Sequence, residues 1–153
     1  MANTYTQLRI QLVFAVKNRQ ALIQESFRER LQMYMTKTLQ NEGHKMLAIY
    51  CMPDHCHILI GLDPQYAIAD SVKKLKTAST NWINREKLSR HKFQWQRGYG
   101  AFSYSKSQTS GVIQYILNQP NHHKKQSFRD EYLDILNKLE IDFKAEYLFD
   151  FFE

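Results

Sequence analysis

Three observations predict an α+β domain. Residues 6–16, 44–52 and 55–62 are rich in Val, Ile, Leu and Phe and read as strands, the last two joined by the tight turn Pro53-Asp54. Residues 25–40 and 68–83 repeat apolar side chains every three or four positions, the pattern of amphipathic helices. With an extended stretch over 93–104, the order becomes strand, helix, strand, strand, helix, strand. That is the order of a ferredoxin-like or RRM-like antiparallel sheet, whose two helices cover one face.

Each element has its own justification. The first strand, TQLRIQLVFAV, alternates in part. The first helix carries Phe27, Leu31, Met35 and Leu39 four apart, and Asn41-Glu42-Gly43 ends it. Asp63-Pro64 breaks the chain after the third strand. Ile68, Val72, Leu75, Ser79, Trp82 and Ile83 then outline the second helix. Gly98 and Gly100 punctuate the extended stretch that follows. A third helix spans 107–119, with Ser107 or Thr109 as its cap, and a fourth spans 128–139. The tail Tyr147-Leu148-Phe149-Asp150-Phe151-Phe152 is too apolar to hang free and is expected to pack on this core or on a partner subunit. Trp82 has core spacing, whereas Trp95, Tyr99 and Phe102 suit either a core or stacking on bases.

At 153 residues the chain is expected to form one domain, 1–153, with a sizeable core. No apolar run approaches the roughly 20 residues that cross a bilayer. The start, Met1-Ala2-Asn3-Thr4-Tyr5, lacks the basic and apolar blocks of a signal peptide, so no membrane association and a cytoplasmic location are expected. Cys51 and Cys56 suit that compartment as free thiols. The formal charge is +6, and between Lys73 and Arg97 eight basic residues face one acid, Glu86. Lone lysines are ordinarily a solvated face. An excess concentrated among aromatic residues is the pattern of a nucleic-acid surface, and Lys73, Lys74, Lys76, Arg85 and Arg97 are its candidate phosphate contacts.

The segment Tyr50-Cys51-Met52-Pro53-Asp54-His55-Cys56-His57-Ile58-Leu59-Ile60-Gly61 is the most informative. Strand side chains alternate, so His55 and His57 share one face while Cys56, Ile58 and Ile60 point to the other. If the latter face the helices, the imidazoles stand on the open face as two thirds of a metal site. Cys56 cannot join them. Tyr115 and Gln119, four apart, share a helix face. Gln119 then suits a third ligand and Tyr115 a nucleophile beside it, although spacing alone is more often that of an ordinary surface pair. His122 and His123 read as a solvated pair or DNA contacts, outside the metal site.

MPDHCHILIGL resembles the His-hydrophobic-His (HUH) motif of single-tyrosine transposases, the small enzymes of simple bacterial insertion sequences and their relatives associated with repetitive extragenic palindromes. WQRGYGAFSYSKSQ and YILNQPNHHKKQSFRDEYLDIL look like two further blocks of that family, in the same order, extending the resemblance to about Leu136. The resemblance implies that His55, His57 and Gln119 bind a divalent cation, Mg2+ or Mn2+, and that Tyr115 is the nucleophile. It further implies homodimers with composite sites that cut and rejoin single-stranded DNA beside a hairpin through a 5′-phosphotyrosine. Pro120 departs from a continuous helix, because proline disfavours helical backbone in the residue before it, here Gln119.

Two other classes suit the same residues. One is a catalytically silent RRM-like regulator that binds single strands or hairpins. The other is a metal-dependent hydrolase with water as nucleophile, in which Tyr115 would be dispensable.

Overall fold

The computed structural model describes residues 3–17 and 21–151. Met1, Ala2 and Phe152, which figured above, lie outside them. The element order is β1 (Arg9–Ala15), α1 (Glu25–Asn41), β2 (Lys45–Cys51), β3 (His55–Gly61), α2 (Ile68–Arg85), β4 (Gly100–Tyr104), α3 (Lys106–Leu117), α4 (Gln119–His122) and α5 (Phe128–Lys138). A 3-10 turn, Ala145–Tyr147, precedes the aromatic tail.

The strands form one antiparallel sheet in the order β2-β3-β1-β4, the ferredoxin-like arrangement the element order predicts. β1 pairs with β3 so that Phe14 lies opposite Cys56, Leu12 opposite Ile58 and Ile10 opposite Ile60. This register sends those six side chains to one face, where Phe27, Leu31, Met35 and Leu39 of α1 and Val72, Leu75 and Ile83 of α2 close the main core. Cys51 and Cys56 are free and buried.

The other face is not open. Ile116 of α3 packs on Ala48 and Leu59. On the β4 side, Phe128, Tyr132 and Leu136 of α5 pack with Phe102, Phe149 and Phe151. The tail therefore completes its own chain's core. Gln96 holds it there: its Nε2 donates to the Val16 and Asp150 carbonyls at 2.9 and 2.6 Å, and its Oε1 accepts from the Asp150 N–H at 2.7 Å.

Other differences have local causes. Ser105, not Ser107 or Thr109, caps α3, and its N–H donates to Gln108 Oε1 at 2.9 Å in a capping box. Only residues 100–104 of the extended stretch join the sheet, with Trp95 making an isolated bridge to Val16. Trp95 and Phe102 are core residues, and Trp82 stacks on Tyr34 at 4.8 Å. Tyr99 is exposed.

Candidate metal and tyrosine site

His55 and His57 lie on the face opposite α1 and α2, as strand alternation requires, but only 1% and 0% of their surface is exposed. The expected accessible imidazoles are instead roofed by α3, α4 and α5 of the same chain. Phe128 stacks on the His55 ring, centroids 3.8 Å apart and nearly parallel at 8°.

α3 ends at Leu117, and Gln119 begins a separate helical turn with Pro120 in its first positions. Proline is tolerated there because its missing N–H would be unsatisfied anyway. The break does not remove Gln119 from the site. The side chain is fully buried, with Oε1 3.3 Å from His55 Nε2. Tyr115, half-buried, donates its hydroxyl to Glu131 Oε2, and its ring lies 5.9 Å from that of His57.

Glu131 is the residue that sequence reasoning missed. It is 2% exposed, and its Oε1 lies 3.0 Å from His57 Nε2, 3.6 Å from His55 Nε2 and 3.1 Å from His123 Nε2. Its Oε2 accepts from Gln119 Nε2 at 2.8 Å. A signal was available: Glu131 falls on the apolar stripe Phe128, Tyr132, Leu136, where carboxylates are rarely buried without partners. His123, read as outside the site, belongs to it and also meets Gln119 Oε1 at 3.0 Å. His122 lies over the Tyr115 ring at 4.5 Å.

A neutral imidazole carries one N–H. His57 faces an oxygen on each side: Gln11 Oε1 at 2.8 Å from Nδ1 and Glu131 Oε1 at 3.0 Å from Nε2. His55 is placed alike, with Asp54 Oδ1 at 2.7 Å from Nδ1 and Gln119 Oε1 at 3.3 Å from Nε2. With protons on both Nδ1 atoms, two Nε2 lone pairs converge on carboxylate and amide oxygens. His55, His57 and Glu131 each offer an atom within 4.8 Å of the others. Acceptors short of protons are what a cation satisfies, so the donor set fits a divalent metal.

The electrostatics agree. Burial pushes the His57 imidazole down, favouring its neutral form. Burial opposes ionisation of Glu131, but the imidazoles that face it, His123 first, outweigh it and hold the carboxyl well below the usual range. Burial, then the neighbouring Glu131 charge, pushes the Tyr115 phenol far up. His123 is lowered by burial but raised more by Glu131.

A cleft of about 370 Å3 leads to the Tyr115 hydroxyl between α3 and α5, past Tyr104, Val112, Glu131 and Ile135. A second, of about 850 Å3, lies on the β4 side and is lined by Arg97, Tyr99, Phe143, Lys144 and Tyr147. The candidate DNA contacts divide. Lys73, Lys74 and Arg85 are exposed on α2, across the sheet from the histidines, and Lys74 lies 3.7 Å from Glu42. Arg97 is exposed beside the larger cleft. Lys76 is turned inward: its ammonium donates to the Gln96 and Gly98 carbonyls at 2.8 and 2.7 Å.

Fold and site together define a ferredoxin-like α+β domain with a buried His/His/Glu cluster able to coordinate a divalent metal, adjoining a tyrosine. The chain belongs to the IS200-like transposase family, whose profile matches residues 4–119. Among curated proteins it is similar to the ISDra2 transposase TnpA of Deinococcus radiodurans, 29% identical over 119 residues covering 74% of this chain and 84% of that protein. A crystal structure described as that of a transposase from Deinococcus radiodurans R1 superposes with TM-score 0.60 at 25% identity, covering 78% of this chain and 95% of that one. A REP-associated tyrosine transposase bound to a REP hairpin shares the fold, with TM-score 0.61 at 14% identity over 80% of this chain and 73% of that one. Glu131 lies beyond the residues the family profile matches. Among the described residues, no helix is long and apolar enough to cross a membrane.

Proposed function

We propose that the protein is a DNA strand transferase that cuts and rejoins single-stranded DNA beside a hairpin, with Tyr115 as nucleophile. The observation that carries this reading is the meeting of the Tyr115 hydroxyl with the His55, His57, Gln119 and Glu131 cluster, side chains brought together from β3 and the C-terminal helices.

His55, His57 and Glu131, with Gln119 beside them, would hold Mg2+ or Mn2+. A bound divalent cation supplies positive charge to polarise the phosphodiester. The rest is the work of this chain's residues. Tyr115 Oη attacks phosphorus, forming a tyrosyl O–P bond as the bond to the 3′ oxygen breaks. The phenolic proton passes to Glu131 Oε2, which already accepts it in a hydrogen bond, and a bound cation would supply the charge that brings down a phenol otherwise pushed far up by burial and Glu131. With a proton delivered to the departing 3′ oxygen from solvent or from Glu131, the products are a 5′-phosphotyrosine and a free 3′-hydroxyl, and attack by another 3′-hydroxyl reverses the step. Lys73, Lys74, Arg85 and Arg97 are proposed to hold phosphates, with Tyr99 and Tyr147 beside Arg97 as stacking surfaces for unpaired bases. Lys76 instead anchors the segment that leads into β4.

The test is incubation with single-stranded hairpin DNA and MnCl2, followed by a denaturing gel. A covalent protein–DNA adduct that disappears in Tyr115→Phe is expected. Cleavage surviving that substitution would indicate a hydrolase, and binding without cleavage a regulatory module. Family resemblance carries an expectation of homodimers with composite sites. Because the cluster meets within one chain, a cis site is proposed here. Mixing Tyr115→Phe and His57→Ala chains should then restore no adduct, whereas trans sites would restore it.

A further inference from the structure

Gln11 stands in the middle of β1, opposite Leu59 and Phe102 and among buried Ile10, Leu12, Val13 and Phe14. It is 1% exposed. A carboxamide at such a position costs stability unless its hydrogen bonds are made, and an aliphatic side chain would fill the space without that cost. Both of its polar atoms are used. Nε2 donates to Tyr104 Oη at 2.9 Å, and Oε1 accepts from His57 Nδ1 at 2.8 Å.

Two acceptors compete for the one proton of neutral His57. Glu131 Oε1, 3.0 Å from Nε2, favours the Nε2–H tautomer, whose Nε2 has no lone pair left for a cation. Gln11 Oε1 favours Nδ1–H, which leaves that lone pair free. Tyr104 Oη takes the nitrogen end of the amide, which leaves the oxygen end to His57. A reversed amide would donate to Nδ1 and select the wrong tautomer. His55 has a comparable partner in Asp54, but that residue sits beside it on the turn. Gln11 comes from a different strand, and its type is not explained by packing.

We infer that Gln11, with its amide nitrogen on Tyr104 and its oxygen on His57, is a positioning residue that holds His57 in the Nδ1–H tautomer and so keeps Nε2 available to a divalent cation. This rests on the metal reading above, and its test separates the two. The 15N shifts of labelled histidine in metal-free protein report the His57 tautomer, and electron paramagnetic resonance of free Mn2+ reports affinity. Wild type is expected to show Nδ1–H. Gln11→Met, near-isosteric and without an acceptor, should move His57 to Nε2–H and weaken Mn2+ binding about 10–100-fold. Gln11→Glu retains an acceptor and should restore both readouts, which a space-filling role would not predict. Should the methionine variant fail to fold, Gln11→Leu carries the same expectation. A methionine or leucine variant that keeps Nδ1–H and wild-type Mn2+ affinity would overturn the inference. Absence of Mn2+ binding in wild type, with the tautomer change intact, would overturn the metal reading while supporting the hold of Gln11 on the ring.

Discussion

Glu131→Gln should leave the metal-free protein nearly as stable as wild type while removing most of its response to metal. Three imidazole Nε2 atoms face Oε1, two of them belonging to rings whose Nδ1 already meets an oxygen. An amide placed with its nitrogen on that side donates to the Nε2 lone pairs of the two Nδ1–H rings, which meet the carboxylate with no proton between. Its oxygen then takes the Oε2 position and still accepts from Tyr115 and Gln119. Losing the ion pair with His123 offsets the gain. A single buried hydrogen bond is worth about 1 kcal/mol, so the net change in EDTA should stay within about 1 kcal/mol. Metal reverses the comparison. Mn2+ at a hundredfold excess over its Kd stabilises wild type by about 2.7 kcal/mol, whereas a variant binding about 100-fold more weakly gains only about 0.4 kcal/mol at the same concentration. For a chain of this size those gains correspond to Tm increases of roughly 5–11 °C and roughly 1–2 °C. Differential scanning fluorimetry in EDTA and in MnCl2 measures both. A variant more than about 3 kcal/mol less stable in EDTA, as expected on breaking a productive buried ion pair, would refute the argument. So would an undiminished Mn2+ shift.

Acidification gives an independent readout of the same carboxylate. The folded Glu131 carboxyl titrates well below its ordinary value of 4.5, so the unfolded chain binds more protons. Its stabilisation is present above that value and lost as pH falls below it; urea midpoints in EDTA from roughly pH 5 to 3 should drop more steeply for wild type than for Glu131→Gln. Gly100→Ala would place a Cβ 2.7 Å from both Phe102 Cζ and Tyr132 Oη, on the packing that seats α5. Such overpacking should cost about 1–3 kcal/mol by urea unfolding; an unchanged midpoint would mean that α5 yields freely. Lys73→Ala with Lys74→Ala should lower the log–log salt slope of single-strand affinity by about 1.4, two phosphate contacts at about 0.7 each. An unaltered slope would move the DNA path away from α2.

Much of the fold was legible because local pattern and tertiary role coincide. Phe27, Leu31, Met35 and Leu39 announce α1 by spacing, and all four are buried. Alternation put His55 and His57 on the face away from Cys56, where they lie. Legibility failed where a residue's role depends on a distant partner. Lys76 has the composition of a phosphate contact, yet two carbonyls from the approach to β4 claim its ammonium. Gln11 reads as the polar position of an alternating strand, and only the closure of the sheet brings it to His57. His123 looked solvated because nothing local indicates that α4 turns it toward Glu131.

From residue order alone came the α+β class, the side of the sheet that bears the imidazoles and the identities of Tyr115 and Gln119 as candidates. These follow from periodicity and strand alternation, which act over a few residues, and from family resemblance. The packing of α3, α4 and α5 decided that the histidines are enclosed, that Glu131 faces them and that the phenol already has a proton acceptor. Those are contacts between residues 16 to 76 positions apart, and only the three-dimensional path of the chain sets their distance.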